Sequence, residues 1–268
     1  MAQEWLKREF MANISSGFDE YALRARVAPT LVVIVIPVIG LLCWFPTFST
    51  TQLTLAAALS TVLVAMFSQF GRDQGRALQP ALYSRWGGQP SVQLLRYRSG
   101  LLAKETRERY RQKLESINAS LRLPSELEEF GNPDEADRRY DSVCLFLRDS
   151  TRSKSTFPLI FAENVNYGFR RNLLAMKPAG IVLSLAGAIS SLLATVIGLK
   201  GDAFSPPPVP FVAAILNATM LTWWCLRINS EWVRVAAFAY AERLLGSCDF
   251  LPGAMSPPKS VAAEASKE

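Results

Sequence analysis

Glu128 to Asp137 reads EEFGNPDEAD, and two carboxylates from such a run could serve as general acid and general base. The same residues also read as a solvated loop leading into a helix start. Asn132 offers a capping side chain, Pro133 suits the first helical position, and Asp134 and Glu135 sit near the positive end of the dipole. The 268-residue chain contains no histidine, so the commonest general base and the commonest nitrogen ligand for metals are both missing. Its cysteines, Cys43, Cys144, Cys225 and Cys248, show no paired spacing. Neither a disulfide framework nor a zinc site is indicated, and a reducing or membrane setting is the default. Gly-x-Ser-x-Gly, a glycine-rich phosphate loop before a lysine, and HExxH are absent as well. With no nucleophile and base assembled, the expectation is a protein that is not an enzyme and uses no cofactor or metal.

Arginine is the remaining chemistry. In FAENVNYGFRRNLLAMKPAG, residues 161–180, Arg170 and Arg171 precede Pro178 by 8 and 7 positions, which is roughly 10–12 Å of helix. The doublet either anchors a membrane helix at its cytoplasmic end or belongs to a site that receives an anion. Its distance from the apolar run is long for anchoring alone. Arg72 and Arg76 leave another apolar run, so the four cations are expected near one cytoplasmic mouth, where a bound ligand would couple to the spans.

The elements that must position these groups follow from composition. Half of the chain is hydrophobic and only 19% is charged, which is too apolar for an ordinary soluble domain. Four apolar runs are long enough to span a bilayer. They cover about Val27–Phe45, Leu53–Phe70, Ala179–Leu199 and Val209–Leu226. Pro37 falls inside the first and predicts a kink. Residues 1–26 mix charge and apolar side chains, unlike a signal peptide. Trp5, Leu6, Phe10 and Ile14 give them an amphipathic helix, lying on the membrane, on another subunit or on the rest of the protein. Residues 227–250 are expected to form a C-terminal helix and 251–268 a disordered tail.

Orientation follows from lysine and arginine. Residues 71–177 hold 19 of the 29 basic residues and 13 of the 23 acidic ones, so they carry the whole net charge of +6. The connection between the first two spans carries no charge and that between the last two has one residue of each sign. The fold predicted is therefore an all-α membrane protein with four transmembrane helices and both termini cytoplasmic. A basic helical cytoplasmic domain, 71–177, is inserted between the second and third spans. Arg96, Arg98, Arg107, Arg109, Arg111 and Lys113 lie too far along the chain to act as anchors. Such a domain suits phosphate, of anionic lipid or of nucleotides, and a solvated basic face is the bland alternative. Within it, Gly87-Gly88 and Pro90 mark a turn. Leu101, Leu102, Tyr110, Leu114 and Ile117 keep helical spacing, as do Tyr140, Val143, Cys144 and Leu147.

Two stripes mark the spans. Gly180, Ser184, Gly187, Ser191, Ala194 and Gly198 recur at steps of four and three, small residues that let a second helix approach, within the chain or from another subunit. Thr54, Ala58, Thr61, Ala65, Ser68 and Arg72 share one face of the second span. That face bonds a neighbouring helix or lines a wet path in an oligomer. Asn217, mid-span, must face protein or water. No span has a charged residue near its centre, which weakens an ion-coupled transporter.

Three blocks carry a family resemblance: GRDQGRALQPALYSRWGGQPSVQLLRYR (71–98), FLRDSTRSKSTFPLIFAENVNYGFRRNLLAMKP (146–178), and the four-span layout around them. Together they resemble the four-helix membrane effectors encoded beside nucleotidyltransferases in bacterial antiphage operons, most closely the effector of the Hailong system. That resemblance implies a homo-oligomeric ion channel of the bacterial inner membrane, with a tetramer favoured. The partner nucleotidyltransferase would make short single-stranded DNA that holds the channel closed. Its loss during infection would depolarise the membrane in abortive infection. On this reading Arg72, Arg76, Arg85, Arg96, Arg98, Arg170 and Arg171 meet phosphates, while Trp86 and Tyr97 stack bases. Trp86 has a second reading, as part of a packed WGG turn. Thr54, Thr61, Ser68, Ser184, Ser191 and Asn217 are the pore or helix-packing candidates. A non-conducting scaffold, docking its basic domain on anionic lipid or a protein partner, is the runner-up. A lipid-modifying enzyme comes third.

Overall fold

The computed structural model describes residues 20–44, 49–118, 121–200 and 208–252, apart from the side chains of 41, 52, 53 and 55–57. The amphipathic arm read around Trp5, Leu6, Phe10 and Ile14 and the tail beyond 252 lie outside the described residues. Every regular element among the described residues is helical. The chain divides into two compact units. One holds the chain up to Leu82 together with Asn164–Ala236, and the other holds Tyr83–Glu163 together with the chain from Ala237.

In the first unit, a helical turn (Glu20–Ala22) and a π-helical turn (Leu23–Val27) run into α1 (Ala28–Leu42). Among the described residues, three helices are long and apolar enough to cross a membrane: Glu20–Gly40, which joins those turns to α1, α8 (Lys177–Lys200) and α9 (Pro208–Leu226). Sequence expected a fourth, at about 53–70. That stretch falls in the first half of α2 (Thr50–Trp86), several of whose side chains are outside those described. With 37 residues, α2 is roughly 55 Å long.

Small residues set the packing of the spans. Gly180 faces Trp224 and Gly187 faces Asn217, so α8 and α9 run antiparallel. A Cβ on Gly180 would lie 2.3 Å from the indole, a position only glycine can fill. Gly40 of α1 approaches Gly187 and Ser191 from another side. Ser184 and Ser191 are buried on α8, with Pro210, Ala213, Asn217 and Trp224 buried on α9. The small-residue stripe thus makes contacts within this chain. Asn217 Nδ2 donates to the carbonyls of Ala213 (2.9 Å) and Ile36 (3.3 Å), the latter one residue before Pro37 in α1. An amide inside the bundle is supported in this way, by backbone carbonyls of two helices.

Most of the described side chains in the apolar half of α2 are exposed. Thr54, Ala58 and Thr61 are exposed, as are Leu59 (60%), Val62 (55%) and Met66 (64%). Contact begins near Ser68, which is buried. Beyond it Gly71 lies against Met176 and Gly75 against Asn172.

The second unit is built from α3 (Pro90–Leu95), α4 (Lys104–Ile117), α5 (Glu126–Gly131), α6 (Pro133–Ser150) and the latter part of α10 (Ser230–Gly246), which ends in a 3₁₀ turn, Ser247–Phe250. Its core gathers Leu94, Leu95, Leu114, Tyr140, Val143, Cys144, Leu147, Leu244, Leu245 and Cys248. The WGG turn has Gly87 at φ +85° and Gly88 at φ +130°, conformations that side chains resist. Ser125 and Glu128 close a reciprocal capping box on α5. Asn132 caps α6, with Pro133 in its first turn. Sequence spacing extended the helix around Tyr110 back to Leu101, but α4 starts at Lys104. Ser99 Oγ donates towards the carbonyls of Gln93 (2.6 Å) and Arg96 (3.1 Å), and Gly100 at φ +61° turns the chain out of helix.

α7 (Pro158–Ala175) contributes to both units.

Candidate functional site

Neighbouring side chains on a helix point about 100° apart, and α7 uses this to split the Arg170-Arg171 doublet. Arg170 turns to α10. Its Nη1 donates to the Trp232 carbonyl (2.9 Å), its Nε to Asn166 Oδ1 (3.1 Å), and its guanidinium lies 4.9 Å from the Trp232 ring centre. Arg171 turns to α2. Its Nη1 donates to Gln79 Oε1 at 2.6 Å, and its Nε and Nη2 reach Asn172 Oδ1 at 3.4 and 3.3 Å. The Tyr167 ring is 5.5 Å away.

Arg171 is nine-tenths buried, and among the described residues its partners are amide oxygens and a ring, with no carboxylate. Desolvating a cation is costly unless hydrogen bonds and charge compensate. Here the bonds are made by neutral groups, and among the described residues no carboxylate pairs with the charge. Asn172 is buried too, and its Nδ2 donates to the Ala25 carbonyl in the π turn at 2.8 Å. A single chain of bonds therefore runs from α2 through α7 to the base of the first span. Gly75 makes room for it, since a Cβ there would lie 2.2 Å from Asn172 Oδ1.

Arg72 and Arg76 are held more loosely. Arg72 Nη1 donates to Gln69 Oε1 (3.3 Å), and its Nε lies 3.8 Å from an Asp73 carboxylate oxygen. Arg76 is exposed, about one turn before Gln79. The four cations expected around one mouth thus separate. Arg171 comes to α2 near Arg76, while Arg170 faces Trp232.

In the second unit, Arg96 and Arg98 both hold Asp137. Arg96 makes a two-pronged pair, Nε to Oδ1 at 2.7 Å and Nη2 to Oδ2 at 2.6 Å, and Arg98 Nη2 reaches the same oxygens at 2.9 and 2.8 Å. Arg96 also donates to the Gly87 carbonyl (2.7 Å), tying down the glycine turn. Glu129 is fully buried. It accepts from the backbone of Tyr97 (2.9 Å) and Arg98 (3.0 Å), from Arg98 Nη1 (3.4 Å) and from the Tyr140 hydroxyl (2.7 Å).

The Tyr97 ring is flanked by two guanidinium groups, Arg107 and Arg111, each 4.6 Å from its centre. Arg111 donates onward to the Tyr140 hydroxyl (3.1 Å) and to the Pro124 carbonyl. Burial is the largest cause raising the Tyr97 phenol above its usual pKa, and burial with the Glu129 bond raises Tyr140 further. Both remain neutral donors at physiological pH.

This network can hold one shape, and Arg96 and Arg98 have little charge left to offer. Two carboxylates, Asp137 and Glu129, offset Arg96 and Arg98, and the face of Tyr97 that a base would stack on is shared by arginines. Trp86 is buried beside Tyr83, rings 6.1 Å apart. Arg85 is exposed. Sequence reading missed Gln79, Asn172, Glu129, Asp137 and Trp232 as partners. Only the run ENVNYGFRRN hinted at any of them, because asparagines beside arginines in an apolar helix need a reason.

Comparison with protein-family models, with curated proteins and with solved structures found no match for this chain.

Proposed function

We propose that the chain is one subunit of a homo-oligomeric ion channel, an abortive-infection effector of bacterial antiphage defence. On this reading α2 supplies the fourth span, the termini and the basic segment 71–177 face the cytoplasm, and the assembly sits in the inner membrane. A short single-stranded DNA or related oligonucleotide, made by a partner nucleotidyltransferase, holds the channel closed. A tetramer is the favoured assembly, and the resemblance in residues 71–98 and 146–178 supplies the biological setting.

One observation carries the reading. The span half of α2 keeps its Thr54, Ala58, Thr61 stripe exposed, while α1, α8 and α9 bury their small residues against one another. An isolated apolar helix in lipid has no use for a one-sided hydroxyl stripe. Copies of α2 gathered around an axis do. Below that stretch, Arg171 and Gln79 tie α2 to α7, and an anion balancing Arg171 would bear directly on the pore helix.

The test is ion flux from liposomes containing purified protein, with cysteine placed at Thr61 for cross-linking between subunits. Expected are a leak suppressed by short single-stranded DNA and cross-linked dimers in the membrane. Absence of both a leak and a cross-link removes the channel.

One observation favours the non-conducting scaffold instead. Arg96 and Arg98 are engaged by carboxylates of their own unit, leaving fewer cations for a polyanion. Expression alone separates the two readings: a channel without its partner enzyme arrests growth, and a scaffold does not.

A further inference from the structure

Where α9 gives way to α10, the chain turns through Arg227, Ile228 and Asn229. Cations and indoles converge at this corner. The Trp232 and Trp223 rings meet edge to face at 6.4 Å. Two guanidinium groups lie at Trp232, Arg170 at 4.9 Å and Arg227 at 5.9 Å from the ring centre. Lys177, the first residue of α8, donates its Nζ to the carbonyls of Ile228 (2.7 Å) and Cys225 (3.3 Å). That takes up one terminal carbonyl of α9 and one of the turn beyond it, and leaves one ammonium proton over.

The place of this corner follows from the spans. Helices α8 and α9 are antiparallel and long and apolar enough to cross a membrane, so Lys177 and Arg227 flank the same end of both. Tryptophans concentrate where hydrocarbon meets headgroups. Arg227 is exposed and, among the described residues, contacts no carboxylate. The acid on the next turn, Glu231, is already taken by Arg234 at 3.2 Å. The positive end of the α10 dipole adds to the same field.

We propose that this corner binds the phosphate of an anionic lipid headgroup. Arg227 and the remaining Lys177 proton are the donors, and Trp232 holds the Arg227 guanidinium at headgroup depth. The surface is apolar towards the bilayer and cationic towards water, which is the amphipathy of a phospholipid and not that of a free polyanion. The inference needs only that α8 and α9 span the membrane, and it stands or falls independently of channel activity.

The experiment is native mass spectrometry of the full chain in detergent, titrated with phosphatidylglycerol or with phosphatidylcholine of the same acyl chains. One interfacial cation corresponds to about fivefold in binding. Wild type is expected to retain phosphatidylglycerol about fivefold better than phosphatidylcholine. Arg227→Gln should lose that preference, while Arg234→Gln, two turns further along the chain in α10 and also charged, should keep it. Arg227→Lys, which keeps the charge and loses the flat stack, should fall between. Equal retention of the two lipids by wild type, or an unchanged preference in Arg227→Gln, overturns the proposal. So does full displacement of the lipid by a thymidine oligomer at equal phosphate concentration, which would give the corner to a free polyanion.

Discussion

Gly187 and Asn217 sit as close as two helices allow: a Cβ on Gly187 would lie 2.4 Å from Asn217 Oδ1 and 3.1 Å from Pro37 Cα. That one position therefore packs α8 against the Asn217 side chain of α9 and against the backbone of α1 at Pro37. Gly187→Ala must displace the Asn217 side chain, and with it the bond to the Ile36 carbonyl, and it presses on the Pro37 backbone. Overpacking of this kind costs about 1–3 kcal/mol, and a lower melting temperature in detergent is expected. Gly131→Ala, at a helical site with open space around it, should be neutral or slightly stabilising. Equal effects from the two would show that α8 is not packed at Gly187.

Arg171 and Gln79 give the second prediction. Their 2.6 Å contact is a charge-assisted bond inside the protein, worth about 1.5–3 kcal/mol. Each single change, Arg171→Gln and Gln79→Ala, should destabilise, and the double variant should lose less than the sum. A double-mutant cycle of thermal melts reads the coupling directly. Strict additivity would mean that α2 and α7 do not communicate through this pair.

Much of this organisation is legible in the sequence because membrane helices, caps and glycine turns are local. The apolar runs at Ala179–Leu199 and Val209–Leu226 match α8 and α9 within two residues. Asn132-Pro133 starts α6 where capping chemistry puts it. The side chains of the candidate site were not legible, since their partners come from distant parts of the chain. Asp137 follows Arg96 by 41 residues, and Gln79 lies 92 residues from Arg171. A count of arginines records surplus charge without saying which charges are already balanced. Spacing along α7 likewise shows that Arg170 and Arg171 are neighbours, but not that a helix sends them to different partners.

That balance can be shifted on purpose. Asp137→Asn removes the carboxylate shared by Arg96 and Arg98, and each guanidinium keeps only weaker neutral or longer contacts. The unit should lose stability, because a partly buried ion-pair network is broken from one side. If the basic face does receive a polyanion, the same variant should bind single-stranded DNA more tightly and with a steeper salt dependence. Filter binding at two ionic strengths measures this, alongside a melt. Unchanged binding in a folded variant would separate Arg96 and Arg98 from any nucleic-acid site.

Cys144 and Cys248 are buried in the core of the second unit, and burial pushes both thiols up to about 12. At pH 8 neither should react with a maleimide until the unit unfolds, whereupon both should label together. The stability consequence has a definite sign. The folded thiols keep their protons to higher pH than unfolded ones, whose ordinary value is about 8.5, so the native state binds more protons across that window. Stability is therefore flat with respect to these groups below about pH 8 and falls as pH rises towards 12. Tyr140, raised for the same reason, adds a slope of the same sign only above the ordinary tyrosine range near 10. Between pH 8.5 and 10 the thiols should dominate the change from this core, and Cys144→Ala should flatten the melting temperature against pH there. An equally steep fall in the Cys144→Ala/Cys248→Ala variant would assign the alkaline sensitivity to other groups.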